Sequence, residues 1–423
     1  MPYRHREKTM TTIVDDGFLP TVHNGSRLDI AKHIVYWKRC LKTYLPHFYI
    51  PNDSNRLSLA YFIISALDLL DALKSSTTVE EREGYAQWIY SCQLPEGGFR
   101  GFPGSDFGPR RTDDNKTWDP ANVPATYFAL ATLLILGDNL ERVKRRECLE
   151  WLTKMQRPDG SFGETFVNGN IEGGMDMRFG YTAMVIRWIL RGRALGEVDG
   201  VPDVHVDKLV QRIRQSNTYD GGISEIPFHE SHGGFAFCAI AALSLVSRLP
   251  GDVQCGSLTN DTLAGISDLD LTLDWLVSRQ TTYLDEDDDE DIEIGDVKDS
   301  TVQPVLPWVG LNGRCNKIAD ACYSWWIAAS LALLGRLDLL SLYPAQKYLL
   351  DRTQHAIGGF GKHPGNPPDV YHSYMGLAAL SLMKYQGLKP IHYAVCISYD
   401  AVRHLESLSW RNKIWDAPET ELH

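Results

Sequence analysis

The stretch YSWWIAASLALLG, residues 323–335, carries apolar side chains around almost the whole circumference of a helix. A helix that is hydrophobic on most sides is buried on most sides. Five other segments have the same character: RLSLAYFIISALDLL (56–70), ATYFALATLLILG (125–137), YTAMVIRWIL (181–190), FAFCAIAALSLV (235–246) and YHSYMGLAALSLM (371–383). The sequence therefore predicts six helices that share one core.

A second kind of segment alternates with these six and ends near a Gln and a glycine turn. Its copies are IYSCQLPEGGF (89–99), LTKMQRPDGSF (152–162), RIRQSNTYDGG (212–222), LVSRQ (276–280) and LDRTQHAIGGF (350–360). We interpret them as outer helices with the glycines as helix stops. Because the first and last buried segments are as apolar as the middle ones, we predict an all-α, closed α/α barrel of about six inner and six outer helices, with an open solenoid as the alternative.

Composition and charge argue against a disordered, a nucleic-acid-binding and a membrane-spanning protein. An apolar content of 43% with eleven Trp excludes global disorder. Most of the net charge of −12 comes from nine acids in residues 285–296, so we expect one domain, 1–423, with a solvated acidic insertion near 283–305 and no basic surface for nucleic acid. The start of the chain has no signal-peptide pattern, and the longest apolar run, 235–246, is too short to span a bilayer. Together with eight scattered cysteines, this predicts a cytoplasmic protein without a membrane span.

Three metal-ligating residue types occur at corresponding places in two successive repeats. Asp320 and Cys322 precede or open the fifth buried segment, and His372 opens the sixth. Equivalent positions of a repeat lie at the same end of a barrel, so these side chains can converge. Oxygen, sulfur and nitrogen ligands that leave a fourth tetrahedral position free are typical of a catalytic zinc site. Positions i and i+2 do not share a helical face, so the bland interpretation is an incidental pair next to an unrelated His.

A second cluster is expected at the same rim. It contains His232, Arg314, Lys317, Tyr323 and Lys362. Basic and phenolic side chains beside helix N-termini form a site for a multiply charged anion, most simply a diphosphate. The alternative is that these residues are surface charges paired with acids. Below the rim, apolar and aromatic residues predict either plain core packing or a funnel for a long hydrocarbon: Tyr127, Tyr181, Phe235, Phe237, Cys238 and Trp326. Arg178, a cation at the start of the third inner helix, is expected to line the same funnel.

Four motifs resemble the β subunit of a protein prenyltransferase, most closely that of type I geranylgeranyltransferase. They are MDMRFGY (175–181), ESHGGFAFC (230–238), GRCNKIADACYSWW (313–326) and GGFGKHPGNPPDVYHSY (358–374). The resemblance implies one zinc ion held by Asp320, Cys322 and His372. It also implies the following contacts: for diphosphate, His232, Arg314, Lys317 and Tyr323; for the isoprenoid, Arg178, Tyr181, Cys238 and Trp326; for the peptide, Phe62 and Tyr371.

Three positions bear on the subtype. Farnesyltransferases have a Trp at the position of Ser58 and a second bulky Tyr at that of Met375, so the residues here favour a longer isoprenoid. Where farnesyl and Rab-type enzymes carry an Asp associated with magnesium use, this chain has Lys362, as type I geranylgeranyltransferases do. The resemblance therefore implies that magnesium is not required. Tyr371 is the residue of the farnesyl enzyme, and Met375 replaces an expected Phe.

By resemblance, the chain is the catalytic subunit of a heterodimer with a prenyltransferase α subunit. The implied reaction joins geranylgeranyl diphosphate to the Cys of a C-terminal Cys-a-a-X box, as in Rho-type small GTPases, through a thioether. The alternatives are the β subunit of a farnesyltransferase or of a Rab geranylgeranyltransferase, and a terpene cyclase-like barrel. The acidic run matches the Asp-rich motifs of terpene enzymes, but a tract of this composition matches them almost by necessity.

Overall fold

The computed structural model describes residues 27–192, 194, 196–254, 264–282 and 307–415. The acidic insertion expected near 283–305 lies outside these residues. The inner helices are α2 (Arg56–Leu69), α5 (Val123–Ile135), α7 (Met177–Arg191), α9 (Gly233–Leu245), α12 (Tyr323–Leu333) and α14 (Val370–Leu382). The outer helices are α1 (Ile30–Lys42), α4 (Val79–Tyr90), α6 (Arg145–Lys154), α8 (Val206–Gln215), α11 (Leu269–Val277) and α13 (Leu342–Lys347), which continues as a π-helical turn, Tyr348–Thr353.

Shorter elements connect these helices. The short helices are α3 (Leu73–Ser76) and α10 (Pro250–Gln254), and α15 (Tyr399–Ser407) and α16 (Ser409–Trp415) follow the last inner helix. The 3-10 turns are His47–Asn55, Pro103–Ser105, Gly108–Arg110, Lys116–Trp118 and Leu337–Leu339. Two antiparallel strand pairs complete the described part: β1 (Thr165–Val167) with β2 (Asn170–Glu172), and β3 (Gln280–Thr281) with β4 (Gly310–Leu311).

The inner helices form a closed ring. Each packs against the next one along the chain, and α14 packs against α2. The prediction of a closed α/α barrel with six inner and six outer helices is therefore confirmed, and the open solenoid is wrong. The burial patterns explain the two layers: nearly every residue of α5 is buried, whereas α8 buries one stripe that contains Leu209, Val210 and Ile213.

The inner helices begin at one common rim. Backbone hydrogen bonds join the start of an inner helix to the loop that leads into the next inner helix. The Val123 N–H donates to Glu164 O at 2.9 Å, and the Gly233 N–H donates to Gly313 O at 2.8 Å. Residues just before or inside the first turn of any inner helix consequently lie at this rim.

Side-chain amides join consecutive outer helices. Each amide follows the end of one outer helix, donates to a backbone carbonyl just before the next and accepts a backbone N–H there. Five residues make this bridge: Gln93, Gln156, Asn217, Gln280 and Gln354. In the third copy the bridging residue is Asn217 and not the nearby Gln215, which belongs to α8.

The last bridge closes the outer ring. The Gln354 amide donates to Arg27 O at 3.0 Å and accepts the Asp29 N–H at 3.0 Å, immediately before α1. Between α1 and α4 an ion pair, Lys42 with Glu81 at 2.8 Å, holds the neighbouring ends instead. The bridge thus joins the last outer helix to the first over more than three hundred residues of sequence separation.

The glycine pairs do not stop the helices, so that interpretation was wrong. α4 ends at Tyr90, well before Gly97, which lies in a tight turn with φ of 98°. A Cβ at Gly97 would lie 2.3 Å from Glu147 O, and one at Gly358 (φ 90°) would lie 2.5 Å from Lys32 O. These glycines let each turn pack directly on the first turn of the next outer helix.

Among the residues that the structure describes, one helical stretch, Gly233–Asp252, is long and apolar enough to cross a membrane by length and composition. It contains the inner helix α9, which packs between α7 and α12, and 67% of its apolar window is buried in the protein. Burial of this kind is typical of a core helix in a barrel.

We predict that Gln354→Leu lowers the free energy of unfolding by about 1–3 kcal/mol, because two backbone groups lose their partners at the ring closure. Urea unfolding followed by circular dichroism measures this. Gln211→Leu, an exposed position on α8, serves as the matched control and should change stability little. Equal stabilities of the two variants would contradict the closing role.

Candidate active site

The three predicted metal ligands meet at the rim. Asp320 lies in a turn that precedes α12. Its backbone N–H donates to Leu311 O, and its side-chain Oδ1 accepts the backbone N–H of Cys322 at 2.9 Å. The backbone there is not yet part of α12, which begins at Tyr323. This explains how side chains at i and i+2 face the same point. His372 lies in the first turn of the neighbouring α14.

The geometry of this cluster fits a metal ion. One ligand atom from each of Asp320, Cys322 and His372 lies within 4.8 Å of the others. Asp320 and Cys322 are 6% and 5% exposed, and His372 Nε2 lies 3.5 Å from Asp320 Oδ1. The pKa of the Cys322 thiol is raised well above its usual value. Burial is the largest cause, and the negative charge of Asp320 is the second. A cation bound between these groups would offset both effects, so the donor set fits a divalent metal with one position left for a substrate.

Asp369 orients the histidine, a role that the sequence reasoning missed. Its Oδ2 lies 2.6 Å from His372 Nδ1, and its Oδ1 accepts the His372 N–H at 2.9 Å as the N-cap of α14. Ligating histidines usually donate their second ring N–H to such a carboxylate, which fixes the tautomer and aims the other nitrogen at the metal. The signal was present in the sequence as Asp-x-x-His at a helix start.

His232 and Tyr323 form the inner part of the basic cluster. His232 caps α9 by accepting the Gly234 N–H on Nδ1 at 3.0 Å, and its Nε2 lies 2.9 Å from the Tyr323 hydroxyl. Burial and the nearby Arg314 lower the pKa of His232 to about 4, so the ring is neutral at neutral pH. Its proton must then lie on Nε2 and be donated to Tyr323, which leaves the Tyr323 O–H free for a ligand.

The three predicted cations lie at the outer edge of the same rim. Arg314 pairs with Glu230 at 3.0 Å, and Lys317 is exposed. Lys362 is half-exposed with its Nζ 3.9 Å from Asp320 Oδ2, next to the metal ligands. The cluster therefore combines one conventional surface ion pair with two accessible ammonium groups.

Arg178 lies at the mouth of the barrel and not deep along its wall. Its side chain is 64% exposed and makes a bidentate pair with Asp176, the N-cap of α7. Its guanidinium carbon lies 5.9 Å from the ring centroid of Phe235. Tyr181 and Cys238, the other predicted wall residues of this sector, are 5% and 3% exposed and lie deeper.

Half-buried aromatic side chains lie where the sequence predicts a funnel, and we call the surface that they form the aromatic channel. Since outer helices cover the backs of the inner helices, side chains of inner helices that remain partly exposed face the axis or the rim. Such side chains occur on five of the six inner helices: Phe62, Phe128, Phe235, Trp326 and Tyr371. The rings of Phe62 and Tyr371 are 5.8 Å apart, so these two predicted peptide contacts adjoin.

Ser58 and Met375 extend the same two faces. Ser58 lies one helical turn before Phe62, and Met375 one turn after Tyr371, so each shares a face with its partner. Ser58 is half-buried near the rim with its hydroxyl bonded to Asn55 O, whereas Met375 is 5% exposed. Both residues that the sequence predicts to determine lipid length thus lie on the same helix faces as Phe62 and Tyr371.

A segment near the end of the chain closes the barrel from the other side, which the sequence reasoning did not foresee. Residues 391–398 are largely buried, and the Tyr61 and Tyr374 hydroxyls both donate to Cys396 O at 2.6 Å. The Tyr127 hydroxyl donates to Val395 O at 3.2 Å, and the Tyr181 hydroxyl lies 3.2 Å from Cys396 Sγ. Inner-helix tyrosines therefore hold this plug and define the closed end of the channel.

Comparison with known proteins agrees with this geometry. The model of the prenyltransferase alpha-alpha toroid domain matches residues 28–397. The chain belongs to this prenyltransferase family. The family match begins just before α1 and ends within the plug, so it covers the complete ring of helices.

Several curated prenyltransferase subunits are similar over most of their length. The geranylgeranyl transferase type-1 subunit beta of Arabidopsis thaliana is 32% identical over 386 residues, 88% of this chain and 90% of that protein. The type-2 subunit beta of Saccharomyces cerevisiae is 30% identical over 86% of this chain and 93% of its own length. A solved structure of Candida albicans protein geranylgeranyltransferase-I complexed with GGPP aligns with a TM-score of 0.73 at 29% identity, covering 90% of this chain and 99% of that one. The predicted resemblance is confirmed.

We predict that Asp369→Asn lowers metal affinity by about 10- to 100-fold without unfolding the protein, because the histidine loses its orienting carboxylate. Competition with a chromogenic chelator, using Zn²⁺ as the probe, measures the affinity. Asp268→Asn is the matched control, since Asp268 also caps a helix through the N–H three residues on. Cys322→Ala should abolish binding. Unchanged affinity in Asp369→Asn would contradict the orienting role.

Proposed function

We propose that this chain is the catalytic β subunit of a heterodimeric, zinc-dependent protein geranylgeranyltransferase type I. The single observation that carries the proposal is the convergence of three ligand atoms within 4.8 Å of one another, beside a basic rim and at the mouth of an aromatic channel. The metal ligands would serve the nucleophile, the basic rim the leaving group, and the aromatic channel the long hydrocarbon.

Asp320, Cys322 and His372 would hold the zinc ion. Bound zinc would supply a Lewis acid that keeps the substrate thiol in its thiolate form at neutral pH. Asp369 keeps His372 Nε2 directed at the site.

The basic rim would act on the leaving group. As the bond from C1 of the lipid to diphosphate breaks, negative charge grows on the phosphate oxygens. The free O–H of Tyr323 and the cations Arg314, Lys317 and Lys362 can meet this charge. Interactions that strengthen as the charge develops stabilise the transition state more than the ground state.

The partner, substrates and compartment are inferred from the family and from similar proteins. We expect an α subunit, Cys-a-a-X proteins such as Rho-type small GTPases, geranylgeranyl diphosphate as donor and a cytoplasmic location. The type I subunits named among the relatives support the geranylgeranyl choice over a farnesyl or Rab-type enzyme. Activity should require coexpression with the α subunit.

A terpene cyclase-like reaction receives no support from the barrel interior. A cyclase of this architecture needs an acid at the centre. Asp68 of α2 is the one acidic residue within the six inner helices, and it pairs with Lys389 at 2.8 Å and with the Ser398 hydroxyl. Its carboxylate is thus engaged near the plug and not free to protonate an alkene.

The test of the proposed function is a competition assay with geranylgeranyl and farnesyl diphosphates, using the coexpressed heterodimer and a Cys-a-a-Leu peptide. The parent should prefer the C20 lipid. Ser58→Trp, which adds bulk beside Phe62, should shift the preference toward the C15 lipid by about tenfold or more. Ser58→Ala is the size-matched control and should leave it unchanged. Preference of the parent for the C15 lipid would refute the subtype.

Lys362 should remove the need for magnesium. We predict that the parent retains most of its turnover without added Mg²⁺, whereas Lys362→Asp loses about tenfold or more because one leaving-group cation is replaced by a carboxylate. Mg²⁺ should restore part of the loss in the variant. Single-turnover rates in Mg²⁺-free buffer and with added Mg²⁺ measure this, with Lys74→Asp, an exposed position of α3, as the control. An absolute magnesium requirement in the parent would contradict the role of Lys362.

A further inference from the structure

A cavity of about 420 Å³ lies beside the basic rim, between the end of α11 and the turn formed by residues 312–317. Its lining includes Arg279, Asn312, Cys315 and Lys317. We call it the Arg279 cavity. Its lining contains none of the three proposed metal ligands, and Lys317 is the proposed diphosphate contact that it includes.

Arg279 is a buried cation that has no anionic partner among the described residues. The residue is 5% exposed, and its guanidinium stacks on the Trp275 ring at 4.7 Å. Its Nε donates to Trp275 O, whereas its Nη1 has no hydrogen-bond partner. Within the part of the chain that the structure describes, no carboxylate lies in ion-pair range of it. A buried guanidinium without an anion carries a desolvation cost that an anionic ligand would offset.

Cys315 presents a thiol to this cation. Arg279 Nη2 donates to Cys315 Sγ at 3.3 Å, and Lys317 lines the same cavity. Among the cysteines of the described residues, Cys315 alone is exposed, whereas Cys40 is half-buried and the rest are buried. A thiol that is accessible and faces a guanidinium has the surroundings typical of cysteines that react with disulfides.

We propose that Cys315 is a site of S-glutathionylation, and that the Arg279 cavity binds the anionic glutathione moiety. The co-reactant is glutathione disulfide. The Cys315 thiolate attacks one of its sulfur atoms, the new Cys315–glutathione disulfide bond forms, and the second glutathione leaves as a thiolate. The glutathione carboxylates face Arg279 and Lys317. A thiol reductant reverses the step by the same exchange.

The position of Cys315 connects this modification to the reaction, a consequence that depends on the proposed function. Cys315 lies between Arg314 and Lys317, the two rim residues assigned to diphosphate. The turn that carries all three is fixed by a bond from Asn312 Nδ2 to Lys317 O at 2.8 Å and by the Gly313–Gly233 backbone bond. An adduct in the Arg279 cavity would neutralise Lys317 and crowd this turn. Modification should therefore weaken binding of the prenyl diphosphate.

The experiment treats the purified heterodimer with glutathione disulfide and maps the adduct by mass spectrometry. We expect the adduct on Cys315, removed by dithiothreitol, and a rise of about tenfold in KM for geranylgeranyl diphosphate, equivalent to one lost charge-assisted contact. Cys315→Ser should keep the parent KM and resist the effect of the disulfide. Zinc content, measured in parallel, should stay constant, which separates this effect from damage to Cys322.

The anion preference of the cavity is tested with a neutral reagent, 2-hydroxyethyl disulfide. Normalised to free cysteine, Cys315 should react about tenfold faster with glutathione disulfide, and Arg279→Gln or high salt should remove this preference. The salt series keeps the test valid if the Arg279 variant does not fold. Adduct formation at Cys40 instead of Cys315, or equal rates with both reagents, would overturn the proposal even in a fully active transferase. An inactive heterodimer that still forms the adduct would refute only the proposed function.

Discussion

The burial of six helices that are apolar on nearly all sides is the constraint on which the rest of the structure depends. Such helices cannot form one layer of an open array without exposing apolar surface at both ends. Closing the ring removes both ends, and α14 packs against α2 as a result. The closure is reinforced outside by Gln354, whose amide joins the end of the last outer helix to the backbone before the first.

This closure also determines where chemistry can occur. Every inner helix starts at one rim, so each repeat contributes its helix-capping residues and first-turn side chains to the same surface. Asp369 and His232 cap α14 and α9, and Cys322 immediately precedes α12. The residues at the helix starts are thus the ones that would build the proposed site, and side chains deeper in each helix would line the channel.

The sequence predicted the parts of this arrangement that repeat. Six apolar segments indicated the inner ring, and corresponding positions of two repeats brought Asp320, Cys322 and His372 together as expected. The parts that do not repeat were missed. The plug at residues 391–398 occurs once and is held by tyrosine hydroxyls from α2, α5 and α14, contacts that no periodic pattern encodes. The glycine pairs were misinterpreted because their function, close approach to the next helix, depends on a neighbour about fifty residues away.

In the proposed reaction, the site would separate two electrostatic tasks by depth. The metal ligands Asp320 and Cys322 are almost fully buried, where the low dielectric constant makes a bound cation most effective in holding an anionic sulfur. Lys317 and Lys362 lie at the surface, where a diphosphate can arrive with part of its hydration and depart again. His232 lies between these layers and is kept neutral by burial and by Arg314, so it donates one directed hydrogen bond to Tyr323 in place of a further charge. In the proposed reaction, a protonated imidazole there would strengthen product binding as well as the transition state, so we expect the neutral ring to favour turnover over tight retention of diphosphate.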